Sequence, residues 1–454
     1  MTNKKKPNRW IAILKPLVFL TGLFCAIWIV LWIEKTHPSD FGFYRDIFTR
    51  EEIIRKRQNY PLRPTGQSLS DDDIRIARIA WKYFENNYNP ETGLVNSVDQ
   101  YHATTFWDLT SSLTAVLSAR ELRIIDDATM HHRLETAFNT LENMVLYDNK
   151  LPNKVYNTIT LAMTTYDNRP TERGTGWSSM DIGRFLGFCK RILVNYPEYT
   201  PRIERILKRW SLESAIKDAT LIGIGLSFKD GVEKEVQEGK LGYEEYCAKG
   251  FSKMGFDVLN ALSYTDFIKF VDINGMQIGV DVRETRHHPS YNYILSDPYV
   301  LDGIEYGFDI NSLELGYRVL QALEKESNNR NLLVCVGENH IDQPPYFVYN
   351  TLYSNGKKWN CVSESGDEVP ELKTFSTGAA FGWYYLFDTP FTQKLFDKAL
   401  SLYDEDLGWY SGVYEESGEI NKAITANVNS LVLCAVNYKQ HGSNIYMRPT
   451  MYED

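Results

Sequence analysis

Two stretches near opposite ends of the chain are written in the same grammar, and this limits the fold more than any other feature. In the first, a helix opens at Ser70 with Asp73 three residues on and keeps Ile76, Ile79, Ala80, Tyr83 and Phe84 at helical spacing. It turns through NPETGLVNS, and a second helix follows from Thr105 with Leu109, Leu113, Val116 and Leu117 on one face. The last stretch, KLFDKALSLYDEDLGWYSGVYEESGEINKAITANVNSLVLCAV, repeats the order of helix, glycine-aromatic turn, loop and helix. GTGWSSMDIGRFLGFCKRIL, with Ile182, Phe185, Leu186 and Cys189, is a further unit, as is NSLELGYRVLQAL, with Asn311 and Glu314 in capping-box spacing. Helical hairpins joined by unequal connections fit a closed ring better than an open solenoid, whose repeats are shorter and more uniform. Two segments break the helical pattern, TDFIKFVDINGMQIGVDVRE and YFVYNTLYSNGKKWNCVS, and each reads as a β-hairpin about an Asn-Gly turn. The expected body is an all-α toroid over residues 70–445 with β-hairpin insertions, followed by a tail at 446–454.

Ahead of this body, Lys4, Lys5, Lys6, Arg9 and Lys15 precede the uncharged run PLVFLTGLFCAIWIVLWI, from Pro16 to Ile33. The run is long enough to span a bilayer, and Trp10, Trp28 and Trp32 stand where interfacial aromatics lie. It ends in WIEKTH without a small-residue cleavage site, which favours an uncleaved anchor over a signal peptide. The expected organisation is a basic cytoplasmic tail (1–9), a transmembrane anchor (10–33), a juxtamembrane linker (34–69) with Pro38, Pro61 and Pro64, and the toroid beyond. Positive charge on the inner side places the body outside the cytoplasm, as a single-pass protein of the inner membrane with its main domain in the periplasm or outside the cell.

The formal net charge is -10, and the only dense basic cluster is the N-terminal one, so nucleic acid is excluded as a partner. Aromatic residues make up 13% of the chain, enough to furnish both a large core and a groove. The cysteines (Cys25, Cys189, Cys247, Cys335, Cys361, Cys434) lack CxxC spacing and read as buried thiols outside the anchor. Adjacent His287 and His288 are poorly placed to ligate one metal from a strand, and the acidic turn Asp404, Glu405, Asp406 reads as a solvated loop; neither metal nor cofactor is expected.

GTGWSSMDIGR, LGYEEYCAKGF, LSDPYVLDGIEYG, PYFVYNTLYSNGKKW, STGAAFGWYYLF, GWYSGVYE and ITANVNSLVL together resemble the bacterial family known as domain of unknown function 3131, in order from about residue 72 to 440. That family resembles in turn the glucoamylase-type toroids of six helical hairpins, which include enzymes that hydrolyse β-1,2-glucans. The resemblance implies an (α/α)6 toroid whose site lies at the wide end, where helix starts converge.

Candidate site residues follow from that expectation. Within SDPYVLDGIEYGFD, Asp297 before Pro298 reads as a helix cap, whereas Asp302 and Glu305 share one helical face with apolar neighbours, which calls for either a buried network with Arg or Tyr or a site. Of the adjacent Glu244 and Glu245, Glu244 lies nearer the buried stripe of Tyr243, Cys247, Gly250 and Met254. Glycoside hydrolysis needs one protonated carboxyl and one carboxylate, so Glu244 and Glu305 are the expected catalytic pair with Asp302 in support. Asp108 and Asp181 each lie three residues after Thr105 and Ser178, which suits a capping box as well as a site. Trp107 and Trp177 beside them, with Tyr299, Trp383 and Trp409, are the expected sugar-stacking surfaces, core packing being the alternative for each. The expected function is a membrane-anchored hydrolase of a bacterial glucan or exopolysaccharide, inverting by resemblance to related toroid enzymes. The alternative is a non-catalytic glycan-binding or scaffold protein in envelope polysaccharide assembly or export.

Overall fold

The structure is a computed structural model that describes residues 9–36, 59–226, 233–283 and 292–443. Lys4, Lys5, Lys6, His287 and His288 lie outside the described residues. Two compact units divide the chain near residue 55. The first contains helix α1 (Arg9–Thr36), on which every side chain from Val18 to Trp32 is exposed. Among the described residues no helix is long and apolar enough to cross a membrane. The described part of the apolar run, residues 18–32, is shorter than the run itself.

The second unit is built from α2 (Asp71–Asn86), α3 (Phe106–Glu121), α4 (Asp127–Asn143), α5 (Ser179–Asn195), α6 (Thr200–Lys208), α7 (Tyr243–Lys253), α8 (Asp297–Tyr306), α9 (Ile310–Arg330), α10 (Thr377–Leu386), α11 (Pro390–Ala399) and α12 (Ala426–His441). Helices α3, α5, α7, α8, α10 and α12 pack each against the next, and α12 returns to α3, closing an inner ring. Around it, α2, α4, α6, α9 and α11 alternate with the inner helices in chain order. Between α7 and α8 the outer position holds a hairpin instead of a helix: Ile268–Ile273 pairs antiparallel with Met276–Asp281 and leans on α9. Its turn residues Asn274 and Gly275 both have positive φ, as a two-residue type I′ turn requires.

The all-α expectation is corrected by the sheets, which gather at one end of the ring. Phe347–Ser354 pairs with Lys357–Ser363 about Asn355-Gly356, as the sequence suggests, but also with Gly337–His340 and Tyr293–Ile294. The loops before the inner helices are long, and pairing satisfies the backbone groups they would otherwise bury.

Capping chemistry fixes where inner helices begin. Thr105 Oγ1 accepts the N–H of Asp108 at 3.0 Å, Ser178 Oγ that of Asp181 at 3.2 Å, and Thr425 Oγ1 that of Val428 at 3.2 Å. The cap of α9 is Asp309, reciprocated by Ser312, rather than the Asn311 expected from sequence. Three contacts seal the ring. Asp73 at the start of α2 accepts Lys439 of α12 at 2.6 Å and Tyr385 of α10 at 2.8 Å. On α5 and α7, a Cβ added at Gly250 would come within 1.8 Å of the Gly183 carbonyl oxygen, so the helices touch backbone to backbone there. From Tyr60 onward the segment expected as linker is docked: Tyr60 bonds Glu314 at 2.5 Å, and Arg63 pairs with Asp388 at 3.1 Å. Among the described residues the cysteines are free, Cys25 exposed and the other five buried.

Candidate active site

The first residues of several inner helices meet at one end of the ring, at the candidate site. Trp107, second residue of α3, donates its Nε1 to Asn427 of α12 at 3.3 Å and packs edge-on against Tyr243, the first residue of α7, with ring centroids 6.1 Å apart. Asp297 begins α8. It is not the expected cap: Ser296 before it has helical backbone and makes no side-chain cap bond, while one Asp297 oxygen accepts the backbone N–H of Glu338 at 3.1 Å. The strand Gly337–His340 therefore delivers Glu338 to the mouth of the ring, and a glycine precedes it because any Cβ at 337 would lie 2.9 Å from that Asp297 oxygen. Residues two apart on a strand share a face, so His340 lies beside Glu338. On the neighbouring strand Tyr349 stands opposite Glu338 and Phe347 opposite His340. Tyr349 stacks on Tyr293 at 4.0 Å, an aromatic plane beside the acid.

The electrostatics of this site favour bound protons. Burial pushes the Asp297 carboxyl well up although the Glu338 N–H opposes the shift. Burial, and then the charge of Asp297, push Glu338 up as well; Tyr243 opposes that rise, and Asp108 and Asp181 add to it. With both carboxyls raised, and the charge of one raising the other, the pair favours holding a proton near neutral pH. Asp181 is raised to about 7 by burial and by Glu238, whose carboxylate accepts the Ser179 N–H at 2.6 Å and faces Lys154 at 3.5 Å. His340 is pushed down by burial, against the pull of Asp108. At the rim, Tyr166 is 50% exposed and stands in the field of Asp181, Glu364, Glu238 and Asp108. Sugars are held by such surroundings, ring faces against apolar C–H surfaces and carboxylates on hydroxyls. Among the described residues no cluster of His, Cys, Asp and Glu could hold a metal ion.

Of the residues expected from sequence, Trp107, Asp108 and Asp181 surround this site. Asp108 also accepts Thr105 Oγ1 at 2.7 Å, so capping and site lining coincide. Glu244 and Glu305 are not brought together. Glu244, 2% exposed, forms an ion pair with Arg283 at 2.7 Å, and Arg283 also binds Asp281. Glu305 lies in the last turn of α8, below the helix starts, where it accepts Arg184 at 3.2 Å and Tyr246 at 2.5 Å. Arg184 in turn lies 4.5 Å under the Trp107 ring, so the pair forms a floor to the site. Asp302 is bound by Lys249 at 2.5 Å, and Lys249 also holds Asp309. These three acids are neutralised by cations from elsewhere in the fold, Arg283 just after the strand Met276–Asp281, Arg184 on α5 and Lys249 on α7. Trp177 packs on Tyr147 and donates to the Ile222 carbonyl at 3.2 Å. Tyr299 packs against Gly316 and Gly242, Trp383 against Phe387, and Trp409 donates to the Ile76 carbonyl at 3.1 Å; all three are core residues with no open ring face. Sequence reasoning missed Glu338, His340, Tyr293 and Tyr349. The signal available for the first two was GENH after an apolar run, which sets Glu338 and His340 on one strand face.

A closed ring of inner helices with outer helices alternating around it defines an α/α toroid, and solved structures share it. A proposed glucoamylase from Bacteroides caccae superposes with a TM-score of 0.58 at 10% identity, covering 82% of this chain and 94% of that one. An endo-β-1,2-glucanase from Chitinophaga pinensis, in complex with sophorotriose and glucose, gives 0.56 at 12% identity over 83% and 94%. An endo-β-1,2-glucanase from Talaromyces funiculosus, in complex with sophorose, gives 0.55 at 11% over 83% and 84%. No curated protein matches the chain in sequence. The chain belongs to the family described as Protein of unknown function (DUF3131), which matches residues 75–442.

Proposed function

We propose that this protein cleaves a bacterial glucan or exopolysaccharide outside the cytoplasm, with Glu338 as proton donor to the departing glycosidic oxygen. The observation that carries the reading is the Asp297–Glu338 contact at the ring mouth, where an Asp297 oxygen accepts the Glu338 backbone N–H and both carboxyls are pushed up towards holding a proton, as a general acid must. Asp108, whose charge acts on both Glu338 and His340, is the carboxylate proposed to take the proton of the attacking water. Attack by water from the face opposite the leaving oxygen inverts the anomeric carbon. A β-1,2-glucan is the first substrate to try, because two of the solved toroids are named for it. The apolar run Pro16–Ile33 and the basic residues before it support a single-pass inner-membrane anchor with the toroid outside.

The test is a panel of glucans and exopolysaccharides incubated with the full-length protein in detergent, the anomer released being read from the proton NMR signal of its anomeric hydrogen. Cleavage with inversion supports the reading; retention removes Asp108 from the role of base. A glycan-binding scaffold is favoured by one observation: Asp297 is already engaged by the Glu338 backbone, and the stacked Tyr293–Tyr349 plane needs no proton chemistry to hold a sugar. Binding of a glycan without cleavage of any would select that reading.

A further inference from the structure

We propose that Tyr243 is a positioning residue for Glu338: its phenolic hydroxyl, fixed at the start of α7, is held for the Glu338 carboxyl and aims it at the sugar. The inference rests on the reading of Glu338 as proton donor.

Gly242 starts the turn into α7 with φ +99°, and its N–H is taken by Glu245 at 2.6 Å. This sets Tyr243 as the first helical residue, with its ring packed edge-on against Trp107. Trp107 is itself held by Asn427 and underlain by Arg184, so the ring against which the phenol packs is braced from two sides. Its side chain is more than nine-tenths buried, and its hydroxyl has no aligned hydrogen bond among the described residues although it stands beside the Glu338 carboxyl. A buried hydroxyl left without a partner destabilises a fold, and phenylalanine would fill the same space without that cost. Packing therefore accounts for the ring and not for the oxygen.

Glu338 is faced by Asp297 of α8, Asp108 of α3, Asp181 of α5, Tyr243 of α7 and Tyr349 of the adjacent strand, with His340 on its own strand face. The three carboxyls donate only while they hold a proton, and the His340 ring stands edge-on against Phe347 with centroids 5.0 Å apart, whereas a phenol donates throughout the ordinary pH range. Tyr349 is engaged face to face with Tyr293. Tyr243, buried and with no other partner for its hydroxyl among the described residues, is the phenol able to hold the Glu338 oxygen in place while leaving its proton for the substrate.

The experiment compares wild type with Tyr243→Phe in the full-length protein, following side-chain carboxyls by carbon NMR as pH is varied; the Glu338 signal is the one lost in Glu338→Gln. Removing a donor to the charged form should move the Glu338 titration upward by about one pH unit, with the thermal midpoint unchanged or raised. On a substrate that is cleaved, the alkaline limb of kcat/KM should move the same way while kcat falls. An unmoved titration overturns the proposal, as does a lowered midpoint with the titration unmoved. If Glu338→Gln still hydrolyses the glucan while Tyr243→Phe moves the titration, the proton-donor reading falls and the positioning of Glu338 by Tyr243 stands.

Discussion

The Asp297 carboxylate accepts the backbone N–H of Glu338 at 3.1 Å, so the first turn of an inner helix and a sheet strand 41 residues away meet through two acids. The contact relates position to chemistry. It sets where Glu338 sits, and the charge of Asp297 gives Glu338 a reason to keep its proton. From this arrangement and from the ion pairs beneath it, distinct outcomes follow for individual substitutions.

The Arg184–Glu305 pair is a buried floor, not a catalytic element. Arg184→Met leaves Glu305 charged and buried without its cation, and should destabilise the fold by about 3–5 kcal/mol in urea denaturation. The double change Arg184→Met with Glu305→Leu should recover most of that loss. Single and double variants of equal stability would show that the pair is uncoupled.

Ring closure depends on Gly250 meeting Gly183. Gly250→Ala must push α7 away from α5 and should cost at least about 1–3 kcal/mol as overpacking, read as a lowered thermal midpoint. Gly225→Ala, where an added Cβ meets nothing within 4 Å, is the matched control. Equal midpoints for the two would mean that the helices are free to separate.

Asp181 gives stability a pH dependence of predictable sign. Its carboxyl is raised to about 7 by burial and Glu238, against about 4 for an aspartate in the unfolded chain. Between those values the folded state binds more protons than the unfolded state, so the Asp181 contribution to stability falls as pH rises through the window. Asp181→Asn should therefore gain on wild type between about pH 4.5 and 7.5 in urea titrations. A wild-type-to-variant difference that does not change with pH contradicts the assignment.

The legible part of the molecule was the part written locally. Ser70, Thr105 and Ser178 cap helices in the order their spacing suggests, and both Asn-Gly turns close hairpins, because caps and turns depend on residues a few positions apart. Asp302 and Glu305 stand out in the sequence as acids in apolar surroundings, yet their partners Lys249 and Arg184 belong to other helices, and no local pattern announces them. Glu338 went unnoticed for the complementary reason: its strand has no cap or repeat, and its importance arises only when the fold sets it against Asp297.

The anchor reading predicts the side of the membrane. A reporter that works only outside the cytoplasm, fused after Asp454, should be active, and a cytoplasm-only reporter at the same place should be silent. The reverse pattern would invert the topology and remove the envelope glycan as substrate.

The central claim is tested most directly by the turnover of Glu338→Gln on whichever glucan the wild type cleaves. The substitution keeps volume and removes the transferable proton, so turnover should fall at least about 100-fold while the thermal midpoint stays within a degree or two of wild type. Near-normal turnover by Glu338→Gln would contradict the account, because the proton would then have to come from another group at the site.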